Sequence, residues 1–342
     1  MWGGLPDVYP GYQNVQDPKI QQKFSKFWGR KLSNKIGLTV VESFHEAVKG
    51  NLKAMYFMGE NPVIADPNQK EVIKGLKNLE LLVVQDIFLT ETAELAHVVL
   101  PAASFAEKSG TFTNTERRIQ LIRPVMNKIG DSKEDWEIIS ELSQRMGYPL
   151  SYNSPSDIMD EIAQVSPIYG GVSFERLEDT KIQWPCINES HPGTQILHTK
   201  EFSRGNGKFY PIEFKTPAEI PDKKYPFILT TGRIYLQFHT RTMTKRTSVL
   251  EREEPEAFVE INTDDAHELG ITNSQFVDIS SLRGTITVRA RVTSKILRKT
   301  VFIPFHYSNA AVNLLTNDTL DPESKIPELK VCKVKISIPE ES

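Results

Sequence analysis

The sequence predicts a mixed α/β chain in three parts: a doubly wound parallel-sheet domain over 1–128, a helical and loop-rich connecting region over 129–222, and a small β-barrel over 223–342. Three observations predict it. Between residues 52 and 101, short continuous apolar runs alternate with short helical patterns, the signature of parallel strands covered on both faces. Pro, Gly, Asn and Ser recur through 148–222, which reads as loop. Beyond Lys224 the pattern becomes a series of short strands.

The elements follow in order. Residues 1–50 read as irregular apart from a helix over 17–28, where Phe24, Phe27 and Trp28 are packing residues. A buried strand over 53–58 ends in the turn Gly59-Glu60-Asn61-Pro62, and a helix follows over 68–76. A second strand covers 81–84, a short helix starts near Thr90, and a third strand covers 97–100, stopped by Pro101. A helix over 130–147 has Asp131 or Ser132 as its cap and Trp136, Ile139 and Leu142 as its apolar stripe. Candidate barrel strands are 227–230, 257–261, 276–279, 284–292, 301–305 and 331–338, with a short helix over 263–269 closed by Gly270.

Composition narrows the function. The chain has 342 residues, 39% hydrophobic and 25% charged, with net charge −3, so no basic excess points to nucleic acid. Cys186 and Cys332 alone supply neither a disulfide framework nor a zinc or iron–sulfur site. The apolar runs are far too short to span a bilayer, and the first residues lack the pattern of a signal peptide. No Gly-x-Gly-x-x-Gly or Lys-Ser/Thr phosphate loop is present, and no Ser/His/Asp arrangement is justified by the spacing.

Four polar clusters carry the candidate chemistry. Asp86 follows the second strand and Thr90 lies at a helix start; together they suit a ribose, a guanine edge or a phosphate, or they simply cap the turn. Glu107 and the run Gly110 to Arg118 suit a polar heterocycle or phosphate, or form a solvated hairpin. Arg233, Gln237, His239, Thr240 and Thr242 are donors suited to phosphate and pterin-like rings. Phe305, His306, Asn313 and Lys330 make the fourth, in which His306 either closes a pocket or acts as a structural donor.

Taken in order, these clusters resemble the molybdopterin-guanine-dinucleotide oxidoreductases, and within them the formate dehydrogenase catalytic (alpha) subunits. The resemblance rests on Gly4-Leu5-Pro6 with Tyr9-Pro10-Gly11-Tyr12-Gln13; Met58-Gly59-Glu60-Asn61-Pro62; Val84-Gln85-Asp86-Ile87-Phe88-Leu89-Thr90; and Val99-Leu100-Pro101-Ala102. It continues through Glu107 to Gln120, Asp135-Trp136-Glu137, Arg145-Met146-Gly147-Tyr148, Gln183-Trp184-Pro185-Cys186, Asn313-Leu314-Leu315-Thr316 and Pro327-Glu328-Leu329-Lys330. One departure is Ile234, where many members have an acidic or small residue.

The resemblance implies that the barrel is a double-psi β-barrel-like domain binding the molybdopterin dinucleotide, and that the α/β domain binds a dinucleotide half. The cofactor is the bis form of molybdopterin guanine dinucleotide with molybdenum or tungsten. Gly59, Glu60, Asn61, Asp86, Thr90, Glu107 and Arg118 belong to its site, Asp86 and Thr90 on the guanosine part. Arg233, Gln237, His239, Thr240 and Thr242 line the pterin and phosphate path, and Phe305, His306, Asn313 and Lys330 complete the second half. The family's four-cysteine iron–sulfur motif, relay lysine, metal-ligating cysteine or selenocysteine with its histidine, and catalytic arginine do not occur in these residues. The chain therefore reads as the C-terminal half of a catalytic subunit, with no metal ligand or catalytic residue of its own. Its partners would be the N-terminal half and an electron-transfer beta subunit, its substrate formate and its compartment the cytoplasm. The alternatives are a non-catalytic remnant, a cofactor-binding module, or part of a related enzyme such as nitrate reductase.

Overall fold

The computed structural model describes residues 5–339, so Gly4 of the opening motif lies outside the described residues. The chain forms two compact units, each discontinuous in sequence: Met1–Thr39 with Leu100–Ile212, and Val40–Val99 with Glu213–Ser342.

In the second unit, strands Ala54–Met58 and Leu81–Asp86 pair in parallel; strand Val98–Pro101, of which Val98 and Val99 belong to this unit, is the third of the sheet. Helices Pro62–Ala65 and Gln69–Lys77 make the crossover. The expected double covering is incomplete. Ala54, Tyr56 and Met58 are exposed, because Ala54–Met58 is an edge strand of a small sheet and alternates sides with period two. Helix Val40–Val48 falls in the stretch read as irregular. Its Val41, Phe44 and Ala47 are buried at helical spacing, a stripe obscured by the β-branched start that weakens helix propensity. Gly75 is required where this helix meets Gln69–Lys77: a Cβ there would lie 3.0 Å from the Phe44 carbonyl oxygen.

All six strands expected after Lys224 form, and they close into one barrel. The spatial order is Phe258–Asn262, Thr285–Thr293, Phe276–Ser280, Cys332–Ser337, Phe227–Gly232 and Thr300–Pro304. Two pairings are parallel, Phe258–Asn262 with Thr285–Thr293 and Phe227–Gly232 with Thr300–Pro304; the others are antiparallel. The period-two pattern read in the longest strand is borne out, with Ile286, Val288 and Ala290 buried inward. Leu229, Val259, Ile261, Val277, Ile279 and Val301 are fully buried, each contributing about 1.5–3 kcal/mol through loss of contact with water. Helix Thr263–Leu269 starts on the Asn262 side chain, which accepts from the Asp264 N–H at 2.9 Å.

The first unit has a three-stranded antiparallel sheet of Gly110–Thr113, Arg118–Ile122 and Ile182–Gln183. Residues 148–222 are less loop-like than their composition: helices Pro155–Val165 and Phe174–Asp179 form there. The Ser and Pro that read as loop punctuation are helix starts. Ser154 and Ser173 are N-caps and Pro155 occupies the first turn, where its missing N–H costs nothing. The helix expected over 130–147 is Asp135–Arg145. Its cap is Glu134 rather than Asp131 or Ser132, because Glu134 and Glu137 form a reciprocal capping box. Its buried apolar residue is Ile138, while Ile139 and Leu142 of the expected stripe are exposed. Cys186 and Cys332 are buried and free, and burial pushes the Cys332 thiol up to about 12.

Candidate functional site

In the second unit the sheet's carboxyl edge and a long loop from the barrel come together. The edge carries Gly59, Glu60 and Asn61 after one strand and Asp86 to Thr92 after the next. Gly59 donates its N–H to the Gln85 carbonyl at 2.9 Å, so the two strand ends are tied. The buried Asn61 links the turns: its Nδ2 donates to Glu91 at 2.8 Å, and its Oδ1 accepts from the Thr92 hydroxyl at 2.7 Å. Asp86 accepts from the Phe88 N–H at 3.0 Å, an Asx turn. Thr90, buried, accepts from the Ala93 N–H at 3.2 Å. The helix expected at Thr90 is the single 3₁₀ turn Ala93–Leu95. So short a turn builds little dipole, and the Thr90 hydroxyl is engaged in capping it.

The barrel loop leaves strand Phe227–Gly232. Gly232 permits close approach, since a Cβ there would lie 2.6 Å from the Phe302 ring. His306 then clamps both arms of the loop. Its Nδ1–H donates to the His239 carbonyl, and its Nε2 accepts from the Ile234 N–H at 3.0 Å. These two bonds fix a neutral tautomer. Burial lowers the His306 pKa, and the charges of Arg233, His239 and Arg241 push it the same way, against the bond to the His239 carbonyl. Ile234, the departure from the family pattern, thus contributes through its backbone. His239 and Arg241 hold the left-handed conformation, at φ 46° and 63°. Gln237 is spent on structure: its Nε2 donates to the Glu254 carbonyl at 3.2 Å, and its Oε1 accepts from the Thr244 hydroxyl at 2.5 Å. Thr240 and Thr242 bond to each other at 2.9 Å.

Donors remain. Arg233 is exposed, lies 5.9 Å from the Phe305 ring centroid, and pairs with no carboxylate among the described residues. The His239 ring stands edge-on to Phe305 at 5.9 Å. Arg241 is buried on the Tyr307 ring; its guanidinium meets Glu251 and the Pro255 carbonyl, while its buried Nε has no partner. Lys330 donates to the Thr231 carbonyl at 2.5 Å. Asn313, buried, reaches back to the sheet side, donating to the Ile64 and Ala65 carbonyls at 2.8 and 3.0 Å.

Two contacts join loop and sheet edge that single motifs did not disclose. Lys245 approaches Glu91 at 3.4 Å, and the Arg246 guanidinium stacks 4.0 Å from the Phe88 ring centroid. Burial pushes the Glu91 carboxyl up, but hydrogen bonds from its own backbone, Asn61 and Ser308, with the Lys245 charge, hold it below the ordinary range. Met58, Ile87, Leu89, Tyr235, Phe238 and Met243, on these same segments, are exposed.

Glu107 and Arg118 belong to the first unit. Buried Glu107 closes a capping box with Ser104 and accepts from the Ile129 N–H at 2.6 Å. Arg118 opens the second strand of a hairpin and lies 3.7 Å from Glu116. Its neighbour Arg117 is the structural one, donating to the carbonyls of Trp184, Thr194 and Gln195.

Sheet edge and barrel loop thus define a class of protein that presents unpaired guanidinium and imidazole groups beside aromatic rings, a set suited to an anionic ligand with planar groups. The comparisons name it. Residues 6–145 match the molybdopterin oxidoreductase family, and 227–333 match the molydopterin dinucleotide-binding domain. The chain belongs to the molybdopterin oxidoreductase family. It is 52% identical over 338 residues to the F420-dependent formate dehydrogenase subunit alpha of Methanocaldococcus jannaschii, covering 98% of this chain and 50% of that protein. It is 36% identical to formate dehydrogenase H of Escherichia coli, covering 98% and 48%. The chain spans about half the length of these relatives. The solved acetylene hydratase of Pelobacter acetylenicus shares the fold, with TM-score 0.70 at 19% identity, over 94% of this chain and 50% of that one. A molybdopterin cofactor is what this domain type binds, and the unpaired donors, with the partnerless buried Arg241 Nε, fit such a group. No helix among the described residues is long and apolar enough to cross a membrane.

Proposed function

We propose that this chain is the C-terminal, molybdopterin-guanine-dinucleotide-binding half of a formate dehydrogenase catalytic subunit. The observation that carries the reading is its identity to formate dehydrogenase alpha subunits across 98% of its length. Along the sequence the dinucleotide-binding stretches are 1–128 and 223–342, joined by 129–222; of the first stretch, residues 40–99 fold in the same unit as the barrel. In this reading Arg233 and His239 contact phosphate and pterin, with Lys330 beside them. Glu60, Asp86 and Thr90 face the guanosine part, with Gly59 allowing close approach. Gln237, Thr240, Thr242, His306 and Asn313 act by holding the loop in shape, with Phe305 as a stacking wall and Asn61 fixing the sheet edge. When bound, the cofactor's molybdenum or tungsten supplies the acceptor for the two electrons released as formate becomes carbon dioxide and a proton. This chain's part is to bind and orient. The remaining half carries the iron–sulfur cluster and the second face of a bis-dinucleotide site, an electron-transfer beta subunit receives the electrons, and the assembly is cytoplasmic.

Purified alone and assayed with formate and an artificial acceptor, the chain turns nothing over. Co-produced with the remaining half, it gains both cofactor and formate oxidation. Turnover by the chain alone, or a reassembled subunit that holds cofactor yet oxidises no formate, overturns the reading.

A further inference from the structure

A second candidate site lies wholly within the first unit and is independent of the formate reading. Trp28, Leu32, Tyr148, Leu150 and Tyr152 wall a surface cavity of about 370 Å³, with Arg30 and Glu161 as its charged members. That volume and that aromatic lining with few polar groups are those of a small-molecule pocket.

Hydrogen-bond bookkeeping sets the sign of the ligand. The Glu161 carboxylate is committed to the walls: one oxygen accepts from the Trp28 indole N–H at 3.1 Å, the other from the Tyr152 hydroxyl at 2.7 Å. Burial first, then the Glu161 carboxylate, pushes the Tyr152 phenol well above its ordinary pKa, so it stays a donor to Glu161. The Tyr148 hydroxyl is spent on the Trp28 carbonyl at 3.1 Å. Arg30 is different. Its guanidinium lies over the Tyr148 ring, 4.6 Å from the centroid, and one N–H donates to the Gly147 carbonyl at 3.1 Å. No carboxylate pairs with it among the described residues, and it is exposed. Aromatic walls alone would welcome a cation, but here a fixed guanidinium occupies the ring face and the one carboxylate is already doubly bonded. The unspent charge is positive.

We infer that this cavity binds a small planar aromatic carboxylate, its ring among Trp28, Leu32 and Leu150 and its carboxylate on the free N–H groups of Arg30, which Tyr148 backs. A guanidinium fork matches a carboxylate in two parallel bonds.

The test titrates the full chain with indole-3-acetate, indole and tryptamine, following ligand signals by saturation-transfer nuclear magnetic resonance. The expected order is indole-3-acetate about tenfold tighter than indole, with tryptamine weakest, the charge-assisted bond setting the gap. Arg30→Gln, at an exposed position, should equalise indole-3-acetate and indole, and Tyr148→Leu should weaken all three. Saturable binding by none of the probes, tryptamine matching indole-3-acetate, or an unchanged preference in Arg30→Gln each overturns the assignment.

Discussion

The sheet edge and the barrel loop of the second unit use similar residues in opposite ways. At the sheet edge the polar side chains close on their neighbours: Asn61 on the Glu91 and Thr92 side chains, Thr90 on the Ala93 N–H, and one Asp86 oxygen on the Phe88 N–H. At the barrel loop, buried groups hold the backbone while Arg233 and the His239 ring stay outside the hydrogen-bond network. The difference teaches that a donor-rich motif holds two populations. Buried members shape the loop, and exposed ones remain for a ligand.

The largest effect should come from the barrel clamp. His306→Ala leaves the half-buried His239 carbonyl and Ile234 N–H without their partner and removes a buried ring, so unfolding in urea should show a loss of about 2–4 kcal/mol. The sign with pH follows from burial. The folded pKa lies below the unfolded value of 6.5, so the neutral ring's contribution is complete above that pH and is lost as pH falls below it. His306→Gln should flatten that acid limb; an unchanged acid limb would mean that His306 does not carry it.

A smaller effect sharpens the sheet-edge side. Asp66 follows helix Pro62–Ala65, and burial, then the charge of Glu60, pushes its carboxyl up to about 7. A raised carboxyl binds its proton more tightly when folded, so its contribution is complete below the unfolded value near 3.8 and falls away as pH rises through about 7. Asp66→Asn should therefore stabilise the chain at pH 8 by about 1–2 kcal/mol and change little at pH 4. Thermal melts at the two pH values check this, and equal shifts at both would contradict it.

Much of this was legible in the sequence because period is a local property. The six barrel strands and the three sheet strands announced themselves by alternation or by apolar runs. Val40–Val48 escaped because its stripe is short, and Ser154-Pro155 because the same residues start helices and break them. In the site, residue types pointed to an anion, but motif spacing does not report hydrogen-bond partners. It therefore did not separate His306, Gln237 and Asn313, which hold backbone, from Arg233 and His239. Arg246 on Phe88 and Lys245 beside Glu91 were hidden for another reason, since each pair joins segments far apart in the chain.

The central claim is that Arg233 on the barrel loop and Asp86 on the sheet edge hold the dinucleotide, while the buried clamp keeps the loop in shape. Its most direct measurement is cofactor content per chain in the subunit reassembled with its remaining half, for wild type, Arg233→Ala and Asp86→Ala. Arg233 is exposed, so its loss should leave stability within about 0.5 kcal/mol. Each variant should nevertheless lose about 1.5–3 kcal/mol of binding, through a missing charge-assisted bond. The account predicts folded subunits depleted of cofactor. Wild-type cofactor content in both variants would contradict it, leaving Arg233 and Asp86 as supports of local structure alone.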